Sequence, residues 1–225
     1  MKFDLHSHTI YSAKTKWAFE SIIRPLDLVK TAVKRGLNGI AVTDHDTFKG
    51  ASECSKLVRQ KKLYLEIIPG IEISSHEGHI LGLGIEEWDK KEKMSAEEVN
   101  DIIRDMGGIA VAAHPFASNP FRKSIGGFVG RFDFDGIEVL NYRTSEGDNR
   151  LAFKTAKKLN LGITAGSDAH TLSDIGMVWT FSKNENVIES VLKSKTRVFG
   201  EEMPNFKRYT YQINKLIELS RTSLF

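Results

Sequence analysis

At 225 residues, with 40% hydrophobic and 27% charged side chains, the chain has a globular composition and enough length for one sizeable core. No apolar run reaches the ~18 residues of a membrane-spanning helix, and the opening residues lack the basic and apolar regions of a signal peptide, so a cytoplasmic location is expected. A net charge of +3 suits phosphorylated substrates but is too small to imply nucleic-acid binding, and the single cysteine, Cys54, excludes an internal disulfide and a cysteine-based zinc site.

Residues 2–6 read as a short strand leading into Phe3-Asp4-Leu5-His6-Ser7-His8-Thr9. Strand alternation puts His6 and His8 on the same side, forming a two-nitrogen claw. The polar stretch from Thr9 to Ser21, with Lys14, Lys16 and Trp17, reads as a loop. Pro25 opens a helix whose Leu26, Val29, Ala32 and Val33 share a face and whose stop is Gly36. Gly39 to Thr43 is a continuous apolar run, typical of a strand covered on both faces, and it delivers Asp44-His45-Asp46. A helix from Lys49 to Lys61 follows, then a strand over 65–68 that ends near Gly70 with Glu72 directly beyond, and a buried strand over 79–85 that begins at His79. Ser95 and Glu98 have capping-box spacing for a helix over 96–106, which Gly107-Gly108 breaks.

The strand from Ile109 to Ala113 hands over His114-Pro115. The loop from Phe116 to Phe134 is long and basic at Arg122, Lys123 and Arg131, and reads equally as a functional lid or a surface connection. A strand over 136–140 ends in Asn141-Tyr142-Arg143, a helix covers 146–160, and a strand over 162–166 ends in Ser167-Asp168-Ala169-His170. A further strand over 177–181 and a helix over 186–194 precede a tail in which Ile213, Leu216 and Ile217 share one helical face, expected to dock on the barrel. The whole chain is expected to form one domain, with 201–225 as a C-terminal helical tail packed on it.

Alternating strands and helices imply an α/β protein with a mainly parallel sheet, and in a parallel barrel the C-terminal strand ends gather on one rim. His6, His8, His45, Glu72, His79, His114, Asp168 and His170 fall at such places. Imidazole and carboxylate donors suit Zn, Mn or Fe, and eight donors exceed the needs of one ion, which implies at least two ions bridged by a carboxylate.

In that order these motifs resemble the polymerase and histidinol phosphatase (PHP) domain family: Asp4-Leu5-His6-Ser7-His8-Thr9, Ile40-Ala41-Val42-Thr43-Asp44-His45-Asp46, Gly70-Ile71-Glu72, His79-Ile80-Leu81-Gly82, His114-Pro115 and Ser167-Asp168-Ala169-His170. The resemblance implies a distorted (β/α)7 TIM-like barrel, two or three divalent metal ions, and a stand-alone metal-dependent phosphoesterase. It assigns His6, His8, Glu72 and Asp168 to the first ion, Glu72 with His79 and His114 to the second, and His45 and His170 to a third. His76 matches no ligand of the family. The family's third site commonly adds an aspartate just after the position of Ser12, where this chain has Ala13-Lys14-Thr15. Occupation of that site is thus open, and Lys14 is a candidate to neutralise phosphate in place of the missing cation.

The expected reaction is hydrolysis of a phosphate ester by a metal-activated hydroxide, on a phosphorylated small molecule or a nucleotide. His45, His170 and Asp168 are the candidate catalytic groups, with either histidine available to protonate the leaving alcohol. Arg143 is expected to grip phosphate with Asn141 beside it, and Arg122 and Lys123 to close over the substrate. The alternatives are an exonuclease or phosphodiesterase acting on short nucleic-acid ends, hydrolysis of a C–N bond, and a non-catalytic metal-binding or interaction module.

Overall fold

Strand β1 (Lys2–Asp4) has partners on both sides: β2 (Gly39–Val42) in parallel and β8 (Val178–Phe181) antiparallel. The structure, a computed structural model, describes residues 1–12, 20–89, 92–118 and 123–222. Among them the sheet runs β7-β6-β5-β4-β3-β2-β1-β8-β9, where β3 is Glu66–Ser74, β4 His79–Leu83, β5 Ile109–Ala112, β6 Gly136–Asn141, β7 Gly162–Gly166 and β9 Arg197–Gly200. Past its regular ladder, β1 turns toward β7. Leu5 N donates to Ala165 O at 3.3 Å, Asp168 N to His6 O at 2.7 Å and His8 N to Ala169 O at 3.1 Å, so that seven strands nearly close a barrel.

Helices α1 (Pro25–Lys34), α2 (Lys49–Lys61), α3 (Ala96–Asp105) and α4 (Glu146–Leu159) cover the outside. Their starts follow the sequence chemistry. Pro25 occupies the first turn of α1, where its missing N–H costs nothing, and Ser95 with Glu98 completes the capping box of α3. Short α5 (Val187–Leu192) packs Val187 and Val191 against Phe3, Leu5, Leu81, Leu83 and Val111, an apolar plug beneath the rim. Each such buried aliphatic side chain is worth about 1.5–3 kcal/mol.

Half of the ladders are antiparallel, where a mainly parallel sheet is expected: β8 is antiparallel to β1 and β9, and within the seven-stranded barrel β4 is a reversal that the sequence pattern leaves unmarked. β3 does not stop near Gly70. It pairs with β2 through Pro69 and then switches to an antiparallel ladder with β4 from Gly70 to Ser74, which places Glu72 inside a strand. β4 is antiparallel to both neighbours, so its first residue, His79, lies on the rim where the other strands end.

The C-terminal helix α6 (Asn205–Thr222) also departs from expectation. Its apolar residues Ile213, Leu216 and Ile217 are 61%, 65% and 45% exposed. The side chains that meet the barrel are Arg208, Tyr211, Lys215 and Glu218, spaced three and four apart on one polar face.

Closure at β7 leaves no room for a side chain at Gly166, where a Cβ would lie 2.2 Å from His6 Cβ and 2.7 Å from His6 N. Gly166→Ala is expected to lower unfolding free energy by about 3 kcal/mol, read as a reduced urea midpoint, whereas Gly127→Ala, with nothing within 4 Å, stays within about 1 kcal/mol. Equal midpoints for the two variants would contradict this view of barrel closure.

Candidate metal centre

Glu72 occupies the middle of the rim, 1% exposed, with five imidazoles around it. Its two oxygens face different groups. Oε1 lies 2.8 Å from His79 Nδ1 and 3.0 Å from His114 Nε2. Oε2 lies 3.3 Å from His6 Nε2, 3.2 Å from His8 Nε2 and 3.3 Å from His45 Nε2. Glu72 N donates to Asp44 O and Asp46 N to Glu72 O, so pairing between the extensions of β2 and β3 fixes His45 against the carboxylate.

The remaining donors come from the β1 and β7 ends. Asp168 Oδ1 is 3.5 Å from His8 Nε2 and 3.4 Å from His170 Nδ1. Asp168 (φ 50°) and His114 (φ 28°) hold left-handed backbone conformations, which non-glycine residues adopt only when surrounding contacts impose them, as they do at functional sites. All eight expected donors thus converge. Three subsets, His6/Glu72/His114, His6/His8/Asp168 and His8/His45/Glu72, each present ligand atoms within 4.8 Å of one another.

The outer nitrogens of the claw are fixed by partners. His6 Nδ1 is 3.0 Å from Glu138 Oε1 and His8 Nδ1 is 2.9 Å from Ser12 Oγ, which turns both Nε2 atoms inward, 3.1 Å apart. Two imidazole nitrogens at that distance face each other with lone pairs unless a proton or a cation lies between them. Outer partners of this kind orient metal-binding histidines and raise their basicity. The donor chemistry and this inward geometry both fit divalent ions.

Two carboxylates here carry no motif of their own. Glu138 sits mid-strand in β6, and a bulge between Glu138 and Leu140 lets it and Asn141 point the same way. It takes His6 Nδ1 on one oxygen and, on the other, His114 N at 2.7 Å and Asn141 Nδ2 at 3.0 Å. A charged residue inside the apolar run Gly136-Ile137-Glu138-Val139-Leu140 was the available signal. Glu20, at the end of the polar loop, places Oε1 3.1 Å from His45 Nε2 and 3.8 Å from His170 Nε2. It brings a further carboxylate to His45 and His170, and no spacing rule marked it.

The substrate contacts expected from the sequence divide. Arg143 reaches the cluster, with Nη1 3.2 Å from Asp168 Oδ1 and 2.7 Å from His170 Nδ1. Asn141 is buried beside the cluster, and its amide donates to Glu138 Oε2 and to Asp168 Oδ2 at 3.2 Å, so it orients those carboxylates. Lys123 is exposed and donates to the His76 carbonyl in the β3–β4 turn; among the described residues it has no contact with the histidine cluster. Lys14 and Arg122 lie outside the described residues.

Charge in the cluster is strongly coupled. Burial opposes ionisation of Glu72, but His45, His79 and His6 outweigh it and hold the carboxyl well below its usual range. Burial likewise disfavours protonated His6 and His45, yet Glu138 and Glu72 lift His6 to about 9, and Glu72 and Glu20 lift His45 to about 9. His170 is pulled well below its usual value by burial and by Arg143. Raised values in the fold mean that protons on His6 and His45 stabilise the metal-free protein below about pH 6.5, a contribution lost as pH rises through about 9. Metal bound at His6 must displace its proton. Apparent Mn²⁺ affinity is therefore expected to rise from pH 6.5 to 9, with about one proton released per chain at pH 7 by calorimetry in buffers of different ionisation enthalpy; an affinity that stays flat across this range would contradict the assignment.

Comparison with known proteins agrees with this geometry. A family profile described as PHP-associated matches residues 146–196. An uncharacterised protein of Methanocaldococcus jannaschii is 39% identical over 145 residues, covering 63% of this chain and 82% of the relative. The 5′-3′ exoribonuclease Rnm of Salmonella typhimurium is 38% identical over 88 residues, 37% of this chain, and the match spans only 28% of the exoribonuclease. Among solved structures, a two-domain protein of Bacteroides vulgatus containing a PHP-like metal-dependent phosphoesterase superposes with a TM-score of 0.71 over 89% of this chain and 64% of its own, at 18% identity, a likeness of fold. No helix among the described residues is long and apolar enough to cross a membrane. With its fold, its His/Glu/Asp cluster and its sequence relatives in agreement, the chain belongs to the PHP family.

Proposed function

We propose that the chain hydrolyses phosphate monoesters of small molecules or nucleotides at a two-ion centre bridged by Glu72, as a cytoplasmic enzyme. The observation that carries this reading is the division of Glu72, with Oε1 toward His79 and His114 and Oε2 toward His6 and His8. His6, His8 and Asp168 would hold one ion with Oε2, and His79 and His114 the other with Oε1. Divalent zinc, manganese or iron bound there supplies the Lewis acidity that activates water and polarises a phosphoryl group at neutral pH.

The chain's own groups do the rest. Arg143, braced against Asp168 and His170, presents its guanidinium to a phosphoryl oxygen, for which its planar fork is suited. His45 holds a proton at Nε2 against Glu20 and lies closer to solvent than His6 or His8, so it can pass that proton to the leaving alcohol. Glu138 and Asn141 keep His6 and Asp168 in place. Retention of eight donors, with a single family ligand missing after Ser12, favours turnover over a non-catalytic binding module. The local likeness to an exoribonuclease favours one second reading, removal of nucleotides from short nucleic-acid ends.

With Mn²⁺ supplied, p-nitrophenyl phosphate is expected to be cleaved in preference to its bis ester, and Asp168→Ala to lower kcat/KM at least about a hundredfold. Preference for the diester, or for a 5′-phosphorylated oligonucleotide, would select the nuclease reading. Cleavage of none of these esters with any divalent metal would overturn hydrolysis.

A further inference from the structure

Strands β8 and β9 lie outside the seven-stranded barrel, with one face turned in and the other out. Val178 and Thr180 are fully buried, and Thr180 Oγ1 accepts from Ala165 N of β7 at 2.8 Å. Alternation turns Trp179 and Phe181 the opposite way. The pairing register carries this outer face over three strands. Lys2 of β1, Phe181 of β8 and Arg197 of β9 stand in one row, and Trp179 and Phe199 stand in the next row of β8 and β9. The face is open among the described residues: Phe199 is 40% exposed, Arg197 is exposed, and Lys2, Trp179 and Phe181 are half-buried.

Rings and charges are set together on it. Trp179 and Phe199 are near-parallel, 18° between planes with centroids 6.1 Å apart, and Phe181 meets Phe199 edge-on at 6.1 Å. Lys2 Nζ lies 4.0 Å from the Trp179 centroid, and the Arg197 guanidinium 5.8 Å from the Phe199 centroid. The Lys2 ammonium donates to the Arg35 carbonyl at 3.3 Å, and among the described residues neither Lys2 nor Arg197 is paired with a carboxylate. Asp4, on the same side of β1, is fully buried and accepts from Ser167 N and Gly176 N. The exposed acids that follow in the chain, Glu185 and Glu201, lie beyond the ends of β8 and β9, in company with Lys183 and Lys195.

Aromatic rings bordered by unpaired cations suit a ligand that alternates flat π-surfaces with negative charge. A second copy docked face to face would set Lys2 and Arg197 against their own duplicates. A bilayer surface calls for aromatic side chains that project into it, whereas Trp179 and Phe181 are half-buried on the sheet. A nucleic-acid duplex keeps its base faces inside the stack, so the complementary partner is a single strand. β1 runs from Lys2 toward His6, which puts the face at the end of the barrel away from the histidine claw. We propose that the outer face of β1, β8 and β9 is a docking surface for single-stranded nucleic acid, with a base stacked on Phe199 and phosphates held by Lys2 and Arg197. This binding goes beyond the hydrolytic reading and does not require it.

The test is the fluorescence anisotropy of a labelled single-stranded oligouridylate titrated with the full chain at low salt. Binding is expected to saturate, equally with Mn²⁺ and with chelator present. Phe199→Ala should weaken it about tenfold, the size of one lost base stack. Arg197→Gln should weaken it too and reduce the slope of log Kd against log salt by about one. Lys61→Gln, on α2, should bind as wild type does, and a duplex of the same length should bind at least about tenfold more weakly. Circular dichroism melting checks each variant for folding, and Arg197→Gln carries the test if Phe199→Ala does not fold. Absence of saturable binding, wild-type affinity in a folded variant of either residue, or equal or tighter binding of the duplex would overturn the proposal. So would binding that needs Mn²⁺, which would put the strand in the metal centre. Attachment to phosphatidylserine vesicles, or a dimer that depends on Phe199, in the absence of RNA binding would assign the face to a membrane or to a second copy instead. No arm of this experiment needs turnover, so a failure of the hydrolytic reading would leave its results standing.

Discussion

A carboxylate sealed from water among five imidazoles is the constraint around which this protein is arranged. Glu72 cannot remain ionised in a dry barrel without compensating positive charge, and its surroundings supply that charge as protons on His6 and His45 or as bound cations. Each unusual feature of the fold serves this residue. β3 changes partners at Pro69 so that Glu72 projects from an ordered strand, and the reversal of β4 brings His79 to its Oε1 side. The approach of β1 to β7, possible because Gly166 has no side chain, delivers the histidine claw beside Asp168.

Charge is graded across the rim. On one side His79 and His114 both face Glu72 Oε1. On the other, Glu20, Asp168, Arg143, His170 and Lys215 are packed together under α6, carboxylates alternating with cations. The positions of Glu138 and Asn141 add rigidity, since each spends its polar atoms on groups that line the cluster.

Much of this was legible in the sequence because it is local. Apolar runs of four or five residues followed by His, Asp or Glu mark strand ends, and Ser95 with Glu98 marks a helix start through bonds made within four residues. The parts that were not legible depend on which distant segments pair. Nothing in His79-Ile80-Leu81-Gly82-Leu83 distinguishes an antiparallel strand from a parallel one, because both bury apolar side chains. β9 lies on the sheet edge with an ordinary mixture of residues, and its pairing with β8 follows from chain return and leaves no periodic signature. Glu20 and Lys215 are 195 residues apart and meet only because α6 lies across the rim. For α6 the apolar stripe of Ile213, Leu216 and Ile217 pointed the wrong way: hydrophobic periodicity assigns a face, whereas here specific polar partners on the barrel loops decide the contact.

Whether Glu72 joins two ions can be read without any substrate. Electron paramagnetic resonance of the protein titrated with Mn²⁺ is expected to show an exchange-coupled pair in wild type, replaced in Glu72→Gln by isolated ions or by a lower metal content. An uncoupled single-ion spectrum in the fully loaded wild type, or coupling that survives the loss of the Glu72 charge, would contradict a centre organised on this carboxylate.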